Sequence, residues 1–226
     1  MTSRDTNYNI PLIGDYAPEF KAKTTQGDII FPEDFKGKWV ILFSHPADFT
    51  PVCTTEFMTL STMIKEFKDL NTELIGLSVD SLYSHIAWIR KIQELEYKNM
   101  KDVEVTFPLI EDTRMEISHK YGMIQLGQSS TQTVRSVFII DTESKIRCIL
   151  HYPFSTGRNF YEIKRIILAL QKTDIEGVAT PADWKPGDDV ILPTPNSYDT
   201  AKRRIENQNE DTYCLDWFIC FKREKK

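Results

Sequence analysis

The chain has 226 residues, 41% of them hydrophobic and 12% aromatic, which is enough for one large domain plus an extension. Its net charge of −5, from 28 basic and 33 acidic residues, argues against nucleic acid or an anionic membrane as the main partner. No apolar run approaches the length of a membrane span, and the first residues, Met1 to Asp5, carry no apolar signal-peptide core, so a cytoplasmic location is expected.

In chain order, residues 1–15 read as a leader with weak structure. Residues 17–31 alternate around the turn signal Thr25-Gln26-Gly27-Asp28 and predict a hairpin. The apolar run from Trp39 to Phe43 predicts a buried strand, continued by a helix from about Thr50 until Asn71 breaks it. Residues 74–79 form the next strand and 81–97 the next helix, with a charged loop at 98–104. Phe107-Pro108-Leu109-Ile110 fits an edge strand or a strand start, because proline cannot donate to a ladder. Asp112 can cap a short helix running to about Tyr121 and stopped by Gly122. After a polar loop at 125–133, residues 134–140 and 145–151 predict a strand pair joined at Asp141–Ser144. Asn159 with Glu162 resembles a capping box and opens a helix to about Gln171. After Thr173 the character changes. Residues 178–199 hold Pro181, Pro186, Pro193 and Pro195 and read as an irregular arm. A short helical fragment at 199–207 and a basic end follow.

This order of elements predicts an α/β fold: a mixed central sheet with helices on both faces, residues 1–173 forming the domain and 174–226 an extension. The first long strand would be central, and ligand sites in such sheets lie beyond the carboxyl ends of the strands. That end leads directly into Ser44-His45-Pro46-Ala47-Asp48-Phe49-Thr50-Pro51-Val52-Cys53-Thr54-Thr55-Glu56. Thr50 suits an N-cap and Pro51 the first helical position, so Cys53 falls in the first turn of a helix. Unpaired N–H groups and the positive end of the helix dipole favour an anion there, which for a thiol is the thiolate. Cysteine is often only a small buried hydrophobe. A Pro-rich strand-to-helix junction with threonine neighbours is a poor place for an inert one.

The other cysteines are Cys148, Cys214 and Cys220. No C-x-x-C pair occurs, which argues against a zinc ribbon or a dithiol redox motif. Cys148, among apolar residues of a strand, reads as a buried core thiol. His85, His119 and His151 lack metal-ligand spacing and read as surface or pocket-edge residues; no metal or cofactor is expected.

Pro46-x-x-Phe49-Thr50-x-x-Cys53 resembles the signature of the peroxiredoxins, thiol peroxidases on a thioredoxin-like fold. The fuller string Phe49 to Glu56, the segment Thr133 to Asp141, Thr156-Gly157-Arg158-Asn159 and the late Pro-rich arm are similar to their C-terminally extended branch. The resemblance implies that Cys53 is the peroxidatic cysteine, oxidised by a hydroperoxide to a sulfenic acid. Preorganised donors must then stabilise the charge developing on the leaving oxygen. Thr50 can offer its hydroxyl, and Arg135 a guanidinium that cannot itself deprotonate. Pro46 would shield the thiolate. His45 reads as a pocket residue donating a hydrogen bond, with structural packing as its alternative. Arg158 stands at a helix start, where a cation is disfavoured, and so suggests a local anion, either the thiolate or Glu56. An exposed Arg158 is the alternative.

By the same resemblance, Cys220 would resolve the sulfenic acid across a subunit interface, with Cys214 assisting or pairing with it afterwards; the place of both in the late tail predicts that they are accessible. A thioredoxin-type dithiol donor would close the cycle. Tail exchange implies a homodimer, and the family adds rings of five dimers. A disulfide needs its Cα atoms within about 7 Å, so the turn around Thr50–Glu56 would unwind on oxidation. The competing readings are a cysteine hydrolase, for which His45 lacks a third group, and a redox-regulated, chaperone-like ring.

Overall fold

The computed structural model describes residues 10–206 and 209–224. Most of the expected leader, position 207 of the late helical fragment and the last two residues of the basic end lie outside the described residues. The chain divides into two compact units, Met1–Phe160 and Tyr161–Lys226.

The first unit is built on a seven-stranded mixed sheet. The hairpin strands β1 (Phe20–Thr24) and β2 (Gly27–Phe31) lead into a 3-10 turn and then β3 (Trp39–Ser44). After β3 come the helices α1 (Pro51–Thr62) and α2 (Ile64–Asp69), then β4 (Thr72–Ser78), α3 (Leu82–Gln93), β5 (Leu109–Glu111) and α4 (Glu116–Lys120). Strands β6 (Arg135–Ile140) and β7 (Ile146–Tyr152) complete the sheet, whose spatial order is β2-β1-β5-β4-β3-β6-β7. β3 runs parallel to β4 and antiparallel to β6. All six of its residues are buried, which is why it reads as an unbroken apolar run rather than an alternation.

One sheet face buries Val40, Leu42, Ile75, Leu77, Ile110 and Phe138 with Ile117 and Tyr121 from the α4 region. The opposite face carries Phe43, which meets Phe57 of α1 at 5.7 Å and Phe107 at 5.6 Å in edge-on contacts. Gly76 in β4 has no room for a side chain. A Cβ there would lie 2.9 Å from a Leu109 methyl and 3.2 Å from the Phe43 ring.

Three local expectations change. The single helix expected from Thr50 to Asn71 is two, parted at Met63, where nothing in the sequence marks a stop. β5 is interior, paired with both β1 and β4, so Pro108 marks a strand start and not an edge. Cys148 is half-buried on the outer strand β7 rather than in the core.

The second unit takes nearly all of α5 (Phe160–Glu176) and the extension. The sequence reading put the division after 173, whereas the compact units part near the start of this helix. Leu168 and Ala169 of α5 pack with Val178, Trp184 and Val190, tying the helix to the arm. The arm is not wholly irregular. It contributes β8 (Val190–Ile191), and after α6 (Tyr198–Glu206) the chain forms a hairpin of β9 (Thr212–Asp216) and β10 (Ile219–Lys222). These make a three-stranded sheet in the order β8-β10-β9. Among the described residues, no helix is long and apolar enough to cross a membrane.

Candidate active site

The sequence places Cys53 one turn before Glu56, and the helical repeat puts both on one face of α1. β6 begins with Arg135, beside the carboxyl end of β3, and Arg158 lies two residues before α5. These four side chains meet. Arg135 Nη1 donates to Cys53 Sγ at 3.2 Å and to Glu56 Oε2 at 2.8 Å. Its Nε and Nη2 donate to the Phe154 carbonyl at 3.1 and 2.8 Å, which fixes the plane of the guanidinium. Arg158 grips Glu56 from the other side, with Nε to Oε1 at 2.9 Å, Nη2 to Oε2 at 2.6 Å and its backbone N–H to Oε1 at 2.8 Å. Its Nη1 donates to the carbonyls of Ser44 and Ser136.

The group is sealed from solvent: residue exposure is 0% for Cys53, 2% for Arg135, 3% for Glu56 and 7% for Arg158. Burial pushes the Glu56 carboxyl up. The charge and hydrogen bonds of Arg158 and the charge of Arg135 outweigh that and hold it below the usual carboxylate range. Two guanidinium charges then face one carboxylate, leaving a net positive charge beside the sulfur. Of the two anions that Arg158 suggested, its direct partner is Glu56.

The remaining sequence-predicted residues fall differently. Thr50 occupies the N-cap position with extended backbone, but its hydroxyl donates to the Ala47 carbonyl at 2.9 Å and makes no capping bond. The tight turn after Ala47 offers that closer acceptor. Pro46 is buried in the loop leading to α1. His45 is fully buried: it stacks on Trp88 at 5.1 Å, meets Phe57 edge-on at 4.9 Å, and donates through Nε2 to Asp48 Oδ1 at 2.9 Å. Burial lowers its imidazole below the usual value despite the Asp48 hydrogen bond.

His85, expected at the surface or a pocket edge, is fully buried in α3. An amphipathic helix with Trp88 three residues on could have signalled this, since both side chains share one face. Asp48 and Trp88 carry no signal that singles them out in the sequence. His45, Asp48 and Asp80 are close enough to consider as metal ligands. Asp48 is already committed to two imidazoles, and Asp80 Oδ2 to the Asp48 N–H and the Ser78 hydroxyl. No metal site is assigned among the described residues.

In the second unit, Cys214 and Cys220 face each other across β9 and β10 and are joined in a disulfide. The expectation that both are accessible fails for Cys220, which is 1% exposed, while Cys214 is half-buried. Inward-facing positions of a paired hairpin are covered, and a linear reading of the tail could not supply that pairing.

Residues 13–149 match the AhpC/TSA family and residues 169–208 the C-terminal domain of 1-Cys peroxiredoxin. A peroxiredoxin of Methanosarcina mazei is 62% identical over 216 residues, covering 95% of this chain and 99% of that protein. A peroxiredoxin of Aquifex aeolicus is 49% identical, covering 95% and 98%. Among solved structures, a yeast mitochondrial 1-Cys peroxiredoxin, studied for thiol resolution via glutathione/thioredoxin systems, superposes with a TM-score of 0.81. It is 43% identical and covers 95% of this chain and all of that one. The family match spans more than half of the chain, the relatives align over nearly its whole length, and the thioredoxin-like fold is shared with the solved structure: the chain belongs to the peroxiredoxins, enzymes that reduce peroxides with a thiol.

Proposed function

We propose that Cys53 is the peroxidatic cysteine and that it reduces hydrogen peroxide and organic hydroperoxides. The observation that carries this reading is the charge balance at the sulfur. Arg135 and Arg158 bring two positive charges and Glu56 one negative, all buried, so ionising Cys53 neutralises the site. The thiolate attacks one peroxide oxygen, the S–O bond forms, and the O–O bond breaks. The leaving alkoxide or hydroxide takes up a proton, and Cys53 becomes a sulfenic acid. Arg135 stabilises both the thiolate and the developing oxyanion. Thr50, Pro46, His45 and Arg158 shape the pocket, with Thr50 turning its hydroxyl from Ala47 to the substrate.

Cys220 resolves the sulfenic acid: its sulfur attacks that of Cys53 and water leaves. Cys214 then attacks Cys220, frees Cys53 and forms the tail disulfide, which a thioredoxin-type dithiol reduces. The Cys214–Cys220 disulfide supports this order. The buried Cys53 must emerge, so the turn at 50–56 unwinds. In support, α1 has neither a side-chain cap nor an acidic residue in its first turn, and Phe49 before it holds a left-handed φ of 55° at 58% exposure.

The enzyme acts in the cytoplasm as a homodimer that exchanges tails and assembles further into a decamer. Support for the exchange comes from a groove of about 590 Å³ on the extension, lined by Tyr198, Ile205 and Trp217, with Leu215 and Phe218 also exposed.

The test is peroxide consumption with thioredoxin and its reductase. Cys53→Ser abolishes consumption. Cys220→Ser keeps a single oxidation and loses cycling. Peroxide turnover by Cys53→Ser would overturn the assignment of the reacting thiol, and full cycling by Cys220→Ser would move resolution elsewhere.

A further inference from the structure

The loop between β3 and α1 is held from below by α3, through contacts the peroxide chemistry itself does not use. His85 and Trp88, one turn apart on α3, reach its two sides. His85 Nδ1 lies 2.8 Å from Asp48 Oδ2, and Trp88 Nε1 donates to Thr54 Oγ1 at 3.2 Å, next to Cys53. The second nitrogen of His85, Nε2, lies 3.1 Å from the Ile110 carbonyl on β5. A carbonyl oxygen can only accept, so Nε2 must carry a proton. An ionised Asp48 can also only accept, so Nδ1 must carry one too.

The remaining ionisable groups leave this demand in place. Asp48 takes the Nε2 proton of His45 on its other oxygen. Asp80 is occupied by the Asp48 N–H at 2.9 Å and the Ser78 hydroxyl at 2.9 Å, and Glu111 accepts from the Leu82 N–H at the start of α3. Burial raises the Asp48 carboxyl, but hydrogen bonds from the two imidazoles outweigh it and keep the group ionised.

The geometry points to His85 as a positioning residue of the thiol site: a buried imidazolium that bridges Asp48 and Ile110 and thereby pins residues 45–54 to the sheet. A neutral His85 would turn a lone pair toward one of its two acceptors, and that side of the bridge would open. The clasp therefore sets how readily the turn bearing Cys53 unwinds. This rests on the reading of Cys53 as the reacting thiol, and its tests use no peroxide, so the two can fail separately.

The first test is nitrogen-15 NMR of histidine-labelled, reduced full-length protein near neutral pH. One imidazole, absent in His85→Gln, shows both nitrogens protonated. A neutral tautomer for His85 overturns the proposal. The second is amide hydrogen exchange of residues 48–54. Loss of a charge-assisted bond predicts about tenfold lower protection in His85→Phe, with partial rescue in His85→Gln, which keeps donors. Strands β3 and β6 stay unchanged. Equal protection at 48–54 in all three proteins overturns the proposal, as does a loss spread evenly over β3 and β6.

Discussion

Replacing Glu56 with glutamine keeps the shape of the side chain and removes its charge. The wild-type carboxylate accepts four hydrogen bonds, one from Arg135 and three from Arg158, and only 3% of the residue is exposed. The carboxamide has one oxygen, and its NH₂ must face a guanidinium donor. Two buried cations then lose their shared partner. Breaking a buried ion pair from one side costs about 3–5 kcal/mol. With a urea slope of about 2 kcal/mol per molar, the unfolding midpoint falls by about 2 M. The assay is urea unfolding of the reduced protein at a series of pH values. Because the folded Glu56 carboxyl lies below its usual range, its contribution is complete above the unfolded value, about 4.3. It is lost as pH falls through the lower folded value, where both proteins carry a neutral group. The gap between wild type and Glu56→Gln is therefore full at neutral pH and closes in acid. A gap that stays constant down to about pH 3, or one below about 1 kcal/mol at neutral pH, would refute the reasoning.

Gly76→Ala drives a methyl against the Leu109 and Phe43 side chains, so overpacking should cost about 1–3 kcal/mol and lower Tm by about 2–4 °C for each of those; an unchanged Tm would show that this face of the sheet yields freely. The Cys214–Cys220 disulfide spans a sequence separation of 6, and closing so short a loop is worth about 2 kcal/mol in the chain-entropy account. Reduction should therefore loosen the hairpin of β9 and β10, read as up to about thirtyfold faster amide exchange there, while β3 stays protected; equal exchange in both redox states would mean that the strand pairing holds the hairpin without the bond.

A net positive charge in a dry pocket is a cost in the resting fold, and it bears directly on what the site can do. Arg135 alone could be satisfied by Glu56 and the Phe154 carbonyl. Arg158 adds the second cation, and it is also bound to the carbonyls of Ser44 and Ser136, at the junction of β3 and β6. The arginine that anchors Glu56 thus also fixes the strand ends from which Arg135 and the Cys53 loop depart.

The sequence by itself determined the elements whose cause is local. Trp39–Phe43 had to be a doubly buried strand, Pro51 had to open a helix, and Cys53 had to fall in its first turn, because strand burial and helix starts are written in neighbouring residues. It also pointed to an anion near Arg158, since a cation before a helix is unfavourable unless an anion or solvent compensates it. What only the tertiary structure decided depends on residues far apart in the chain. Glu56, and not the sulfur, is the direct partner of Arg158, 102 residues away along the chain. Asp48, His85 and Ile110 came together only when α3 and β5 docked beside the loop, and Cys220 was covered only when β9 paired with β10. Hydrogen bonds and ion pairs between distant segments follow from packing, and no spacing along the chain encodes them.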